Sequence, residues 1–145
     1  MTVAGIAAVI GGSVLVLPAA SAATAGSAAE VDHVRLEVFS DHRSVGPGET
    51  FRVAIVQHID PEWHTYRVNP GNAGLATKIN WTVPTGCSVP EPEWPVPRVF
   101  GLTPVVTYRY AGELVSLQEV LAPAGLRPGS VPLSVDVRTE MRRSN

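Results

Sequence analysis

The stretch His33-Val-Arg-Leu-Glu-Val-Phe39 alternates apolar and polar side chains with a period of two. That is the spacing of a half-buried strand, because successive side chains on extended backbone point to opposite faces. It puts Val34, Leu36 and Val38 on a buried face and His33, Arg35 and Glu37 on the other. The same period returns in Phe51-Arg-Val-Ala-Ile-Val-Gln-His-Ile59, which turns Phe51, Val53, Ile55 and Ile59 inward. Between the two lies Val45-Gly-Pro-Gly-Glu49, a turn in which Pro47 presets φ and the glycines tolerate positive φ. Further strands are expected at Trp63–Val68, Lys78–Val83, Val105–Tyr110, Glu113–Leu121 and Val131–Val137, with Leu117, Leu133 and Val135 joining the core. Asn69-Pro-Gly-Asn-Ala-Gly74, Pro84-Thr-Gly86, Pro90–Pro97, Ala111-Gly112 and Pro123–Gly129 are the connections. Short strands with turns between them, no long amphipathic helix and no internal repeat predict an all-β fold over residues 33–137. The architecture expected is an immunoglobulin-like β-sandwich of two antiparallel sheets.

Composition agrees with one folded domain. The chain has 145 residues, of which 45% are hydrophobic and 17% charged, so disorder throughout is excluded. Its 11 basic and 13 acidic residues leave a net charge of −2, which speaks against nucleic acid as a partner. The single cysteine, Cys87, excludes an internal disulfide, a cysteine-based zinc site and a dithiol couple within the chain. With no Lys, Arg or His adjoining it, Cys87 reads as a buried and inert thiol.

No Asp, Glu, Lys or Arg precedes Glu30. Val3 to Leu17 is apolar, Pro18 breaks the run, and Ala20-Ser-Ala22 follows with the small-x-small pattern of a signal-peptidase site. Residues 1–22 are therefore expected to be a cleaved signal peptide and 23–32 a flexible lead, in a periplasmic or exported protein. A membrane anchor fits less well, because the glycine-interrupted run is short of the roughly 20 residues that a span needs.

Motifs that carry chemistry alone are scarce. His33, His42, His58 and His64 all precede residue 65 and form no carboxylate–histidine cluster with metal-ligand spacing, so they read as solvent-facing strand residues. No His follows Cys87 as a blue-copper site would need, and there is no Gly-x-Ser-x-Gly elbow and no glycine-rich phosphate loop. Neither a metal nor another cofactor is expected.

Three aromatic-and-turn blocks in fixed order say more. They are Pro61-Glu-Trp-His-Thr-Tyr-Arg-Val-Asn-Pro-Gly-Asn-Ala-Gly74, then Ile79-Asn-Trp-Thr-Val-Pro84, then Glu93-Trp-Pro-Val-Pro-Arg-Val-Phe100 running on to Thr107-Tyr-Arg-Tyr-Ala-Gly-Glu113. From about His33 to Val137 the chain resembles the amino-terminal periplasmic domain of the thiol–disulfide interchange reductase DsbD and its copper-tolerance relatives. It departs from that family at Arg67, where Trp is frequent, at Asn72, where Asp is frequent, and at Ala76, where Pro is frequent.

The resemblance implies a domain that passes electrons by thiol–disulfide exchange to periplasmic partners, such as disulfide isomerases or cytochrome c maturation factors. In the family a cysteine pair follows the last long strand, and the electrons reach it through membrane and thioredoxin-like domains. Here that strand is Val131-Pro-Leu-Ser-Val-Asp-Val137, and Arg138-Thr-Glu-Met-Arg-Arg-Ser-Asn145 follows as a polar tail without cysteine. The chain thus reads as the family domain truncated before its cysteine pair. It is expected to dock partners without catalysing disulfide reduction alone, since one thiol must attack and another resolve. By the same resemblance Phe100 falls in a cap loop that shields the pair, and His64 and Tyr66 lie near it on one face of their strand. No catalytic residue is assigned. The alternative is a non-redox periplasmic binding or adaptor module, related to copper tolerance.

Overall fold

The computed structural model describes residues 2–10, 13–14 and 26–144. Its regular elements are all strands: β1 (Thr2–Ile10), β2 (Ser13–Val14), β3 (Gly26–Val31), β4 (Val34–Ser40), β5 (Thr50–Ile59) and β6 (Trp63–Gly71), followed by β7 (Lys78–Thr82), β8 (Arg98–Leu102), β9 (Val105–Tyr110), β10 (Glu113–Leu121), β11 (Ser130–Arg138) and β12 (Met141–Arg143). The strands form three ladders, in the orders β10-β5-β4-β3, β2-β1-β11-β7 and β12-β6-β9-β8. Pairing is antiparallel apart from β1, which runs parallel to β11.

The core explains how three ladders make two layers. Val34, Leu36 and Val38 on β4, Phe51, Val53, Ile55 and Ile59 on β5, and Leu114 and Val120 on β10 all point to one face of the first ladder. Half of that face packs on Leu133, Val135 and Val137 of β11, with Ile79 and Trp81 of β7 closing the side. The other half packs on Tyr110 of β9, Trp63 of β6 and Met141 of β12. The second layer is therefore split into two ladders over one continuous sheet, giving the immunoglobulin-like sandwich that the alternation predicts. Each large apolar side chain fully buried there contributes about 1.5–3 kcal/mol relative to exposure.

Several expectations need correction. Leu117 is 37% exposed, and the core face of β10 carries Leu114, Ser116, Gln118 and Val120 instead. The pairing decides this: Ser116 lies opposite the inward-facing Ile55, and directly opposed residues share a face. The lead over 23–32 is ordered in part, because Gly26–Val31 pairs along β4 as β3. The polar tail is a strand too: Met141–Arg143 pairs with β6 at Thr65, His64 and Trp63. The signal peptide expected over residues 1–22 is not among these corrections: Thr2–Ile10 is strand β1, and the cleavage point at Ala22 lies outside the described residues. Among the described residues no helix is long and apolar enough to cross a membrane.

Candidate functional site

His64 and Tyr66 lie two residues apart on β6 and so project from the same face, and both are buried, at 2% and 3% exposure. The burial of His64 corrects its reading as a solvent-facing residue. Its ring meets that of Tyr66 edge-on, with centroids 5.2 Å apart. Nε2 lies 3.3 Å from the Tyr66 hydroxyl and Nδ1 lies 3.0 Å from Oγ of Ser144. One ring nitrogen of a neutral imidazole donates and the other accepts, and a hydroxyl at either end takes the complementary role. Burial is the main cause that pushes the His64 pKa below its ordinary value. The cations Arg109 and Arg142 act in the same direction, against the pull of Glu140.

Tyr66 is held from three sides. Its backbone carbonyl accepts from the Thr77 hydroxyl, which also bonds Oγ1 of Thr139 at 2.8 Å. Gly74, at φ +94°, passes so close to the ring that a Cβ there would sit 2.4 Å from a ring carbon. The Asn69–Gly74 block thus has a local reason. Asn72 completes it by exchanging bonds with Val106: its N–H donates to the Val106 carbonyl at 2.8 Å, and its Oδ1 accepts from the Val106 N–H at 2.9 Å.

Phe100 reaches the cluster through β8, which pairs with β9 at Phe100–Thr107 and Arg98–Arg109. The Arg109 guanidinium lies 4.9 Å from the Phe100 ring centroid and 5.9 Å from that of Tyr66. Its Nε donates to Oγ1 of Thr107 at 2.9 Å, fixing the fork in place. Of the three residues singled out from the sequence, His64 and Tyr66 touch each other, and Phe100, at 38% exposure on the outer rim, is linked to Tyr66 through Arg109. Arg109, which joins them, was not singled out: it lies in the Thr107–Glu113 block, but its role depends on β9 running between β6 and β8. Ser144 was missed because the tail gave no periodic signal.

The residues after β11 lie against this site. Glu140 accepts from the Leu75 N–H at 2.7 Å and from Arg142 Nε at 2.9 Å, and Arg142 stands opposite His64 in the β12–β6 ladder. The Arg142 hydrogen bond is the main cause lowering the Glu140 pKa.

Cys87 sits elsewhere. It lines a separate cleft of about 340 Å³ with Asn80, Trp81, Val89 and Gln118, and is only partly buried, short of the full burial expected. Desolvation raises its pKa. The other histidines pair with carboxylates: His33 with Asp60 at 3.1 Å, His42 with Asp41 at 2.7 Å and His58 with Glu37 at 2.8 Å. Among the described residues no group of three or more His, Cys, Asp and Glu could hold a metal ion.

Comparison with known proteins places this fold. The N-terminal periplasmic domain of ScsB from Proteus mirabilis has the same fold at a TM-score of 0.60 and 24% identity, over 83% of this chain and 47% of that one. The chain thus spans about half the length of that solved structure. No curated protein matches it. The family model described as thiol:disulfide interchange protein DsbD, N-terminal, matches residues 34–140, from the first residue of β4 through Glu140 beside the site. The chain therefore belongs to the DsbD amino-terminal domain family, whose chemistry is thiol–disulfide exchange.

Proposed function

We propose that this chain is a periplasmic docking domain of a thiol–disulfide interchange system, receiving thiol proteins over the exposed Phe100 rim, to which Arg109 links the buried Tyr66 and His64. One observation carries this reading: residues 139–144, where the resemblance implies a cysteine pair, lie directly beside His64 and Tyr66 and within the same sheet as Phe100. Phe100 lies on β8, at the other edge of that ladder, and its role in shielding such a pair comes from the family resemblance. Disulfide isomerases and cytochrome c maturation factors are the partners that the family suggests.

The chain does not run the reaction alone. Reduction of a substrate disulfide needs a thiolate to attack one sulfur, releasing the other as a thiol, and a second thiolate to break the mixed disulfide. Cys87 is the sole thiol, and its raised pKa lowers the thiolate fraction. The test is insulin reduction by a catalytic amount of protein with a recycling electron source. No turnover is expected, with or without Cys87→Ala, and sustained turnover overturns the reading. A Cys-x-x-x-Cys segment placed after Val137 supplies the positive arm, in which reduction appears and Phe100→Ala speeds alkylation of the pair. A folded graft without activity counts against the placement of the site. Export is checked by mass spectrometry, with a mature chain beginning after Ala22.

A further inference from the structure

The ladder β12-β6-β9-β8 holds five of the chain's 11 cationic residues, Arg67, Arg98, Arg109, Arg142 and Arg143, and none of its 13 carboxylates. The rest of the chain is acidic, so the charge is sorted and this ladder is a basic sheet on an acidic body. Arg142 and Arg143 are neutralised from outside the ladder by Glu140 and Glu62. Arg98 and Arg109 have no carboxylate partner among the described residues, although they stand directly opposite each other across β8 and β9. Like charges in that arrangement destabilise a sheet, and the cost disappears when an anion lies between them.

Two more features surround this pair. Strand β8 is the outer strand of its ladder, so one side of its backbone has no strand partner among the described residues. Every residue of β8 is exposed, and the hairpin displays Val99 at 61%, Leu102 at 87% and Val105 at 57% exposure, with Val96 at 92% just before it. An open edge with apolar side chains is a liability unless a partner uses it.

We infer that β8 is a strand-addition site for an extended, acidic segment of a partner protein. Its backbone pairs with the open edge, a carboxylate bridges Arg98 and Arg109, and alternate apolar side chains rest on Phe100 and Leu102. Backbone pairing supplies affinity and the side-chain pattern supplies selectivity. A polypeptide is favoured over an anionic lipid surface because it alone supplies backbone donors and acceptors. This inference deepens the docking reading above and rests on it for the place, while the partner's chemistry comes from the arginine pair and the open edge.

The test uses three synthetic 12-residue peptides read by fluorescence anisotropy against the whole chain: alternating Glu and Val, alternating Lys and Val, and the acidic peptide N-methylated at alternate backbone positions. The acidic peptide is expected to bind, with affinity falling as salt rises, and the other two to bind at least about tenfold more weakly. Arg98→Glu, at an exposed position, is expected to lose about tenfold for the acidic peptide while circular dichroism stays unchanged. Equal binding of acidic and basic peptides, no binding of the acidic one, or binding to anionic vesicles alone overturns the inference. The insulin assay with the grafted cysteine pair is independent: activity there without selectivity here removes the acidic strand and keeps the docking site.

Discussion

Replacing Gly74 with alanine tests the most constrained contact at the site. The new Cβ would lie 2.4, 2.5 and 2.6 Å from three Tyr66 ring carbons, where 3.4–4 Å is ordinary contact, so the overlap is about 1 Å. The ring has little room to retreat: it is 3% exposed, its hydroxyl meets His64, and Arg109 lies over it. Overpacking of this kind costs about 1–3 kcal/mol. The positive φ of +94° adds the penalty of an L residue in that region, about 1–2 kcal/mol. Gly74→Ala is therefore expected to destabilise by about 2–5 kcal/mol in urea unfolding followed by tryptophan fluorescence. Tyr66→Ala removes the ring and with it the clash, so Gly74→Ala in that background is expected to cost only the backbone share of about 1–2 kcal/mol. An equal cost in both backgrounds, or a cost below about 0.5 kcal/mol in the first, refutes the steric account.

Leu114→Ala is expected to cost about 2–5 kcal/mol and Leu117→Ala under about 1 kcal/mol by the same measurement, because Leu114 is 1% and Leu117 37% exposed. Both side-chain polar atoms of Gln57 are buried without a hydrogen-bond partner among the described residues, so Gln57→Leu is expected to stabilise by about 1–3 kcal/mol in thermal unfolding. For His64, the lowered folded pKa means that the unfolded chain binds the proton first as pH falls, so stability is full above 6.5 and declines below it. It levels off below the folded value, and His64→Gln is expected to flatten this part of a stability profile measured between about pH 7.5 and 5. The lowered Glu140 pKa gives a separate loss that begins only as pH falls below 4.5, and His64→Gln is expected to leave that second loss in place.

Strands whose two faces differ in polarity were legible. β4 buries Val34, Leu36 and Val38 as its alternation demands, and β9 and β10 begin and end where their turn residues say. The face of β10 was not legible, since Val115, Leu117 and Leu121 are as apolar as Leu114 and Val120, and only the register with β5 chooses between them. β8 was read as part of a loop because all its residues are exposed, so no alternation marks it. β12 escaped notice because Met-Arg-Arg has no strand pattern of its own and exists by pairing with β6, far away in sequence. At the site, the period of two put His64 and Tyr66 together, and Phe100 entered through family resemblance. Arg109 and Ser144 belong to the cluster through long-range pairing, which local pattern does not encode.

The proline-rich segment beside β10 bears on how that edge of the sheet is closed. Ser88 and Glu93 each exchange a pair of backbone bonds with β10, at Leu121 and Leu117, and Gln118 fastens the segment by donating to the Pro90 carbonyl at 2.6 Å. This covers the outer edge of β10, yet Pro90, Pro92, Pro95 and Pro97 have no N–H to offer a further chain. The covering segment is thus a terminator: it bonds the edge at Leu117 and Leu121 and offers few donors to a next layer. A further strand arriving from this side meets four positions without an N–H, which is how a proline-bearing edge resists edge-to-edge pairing.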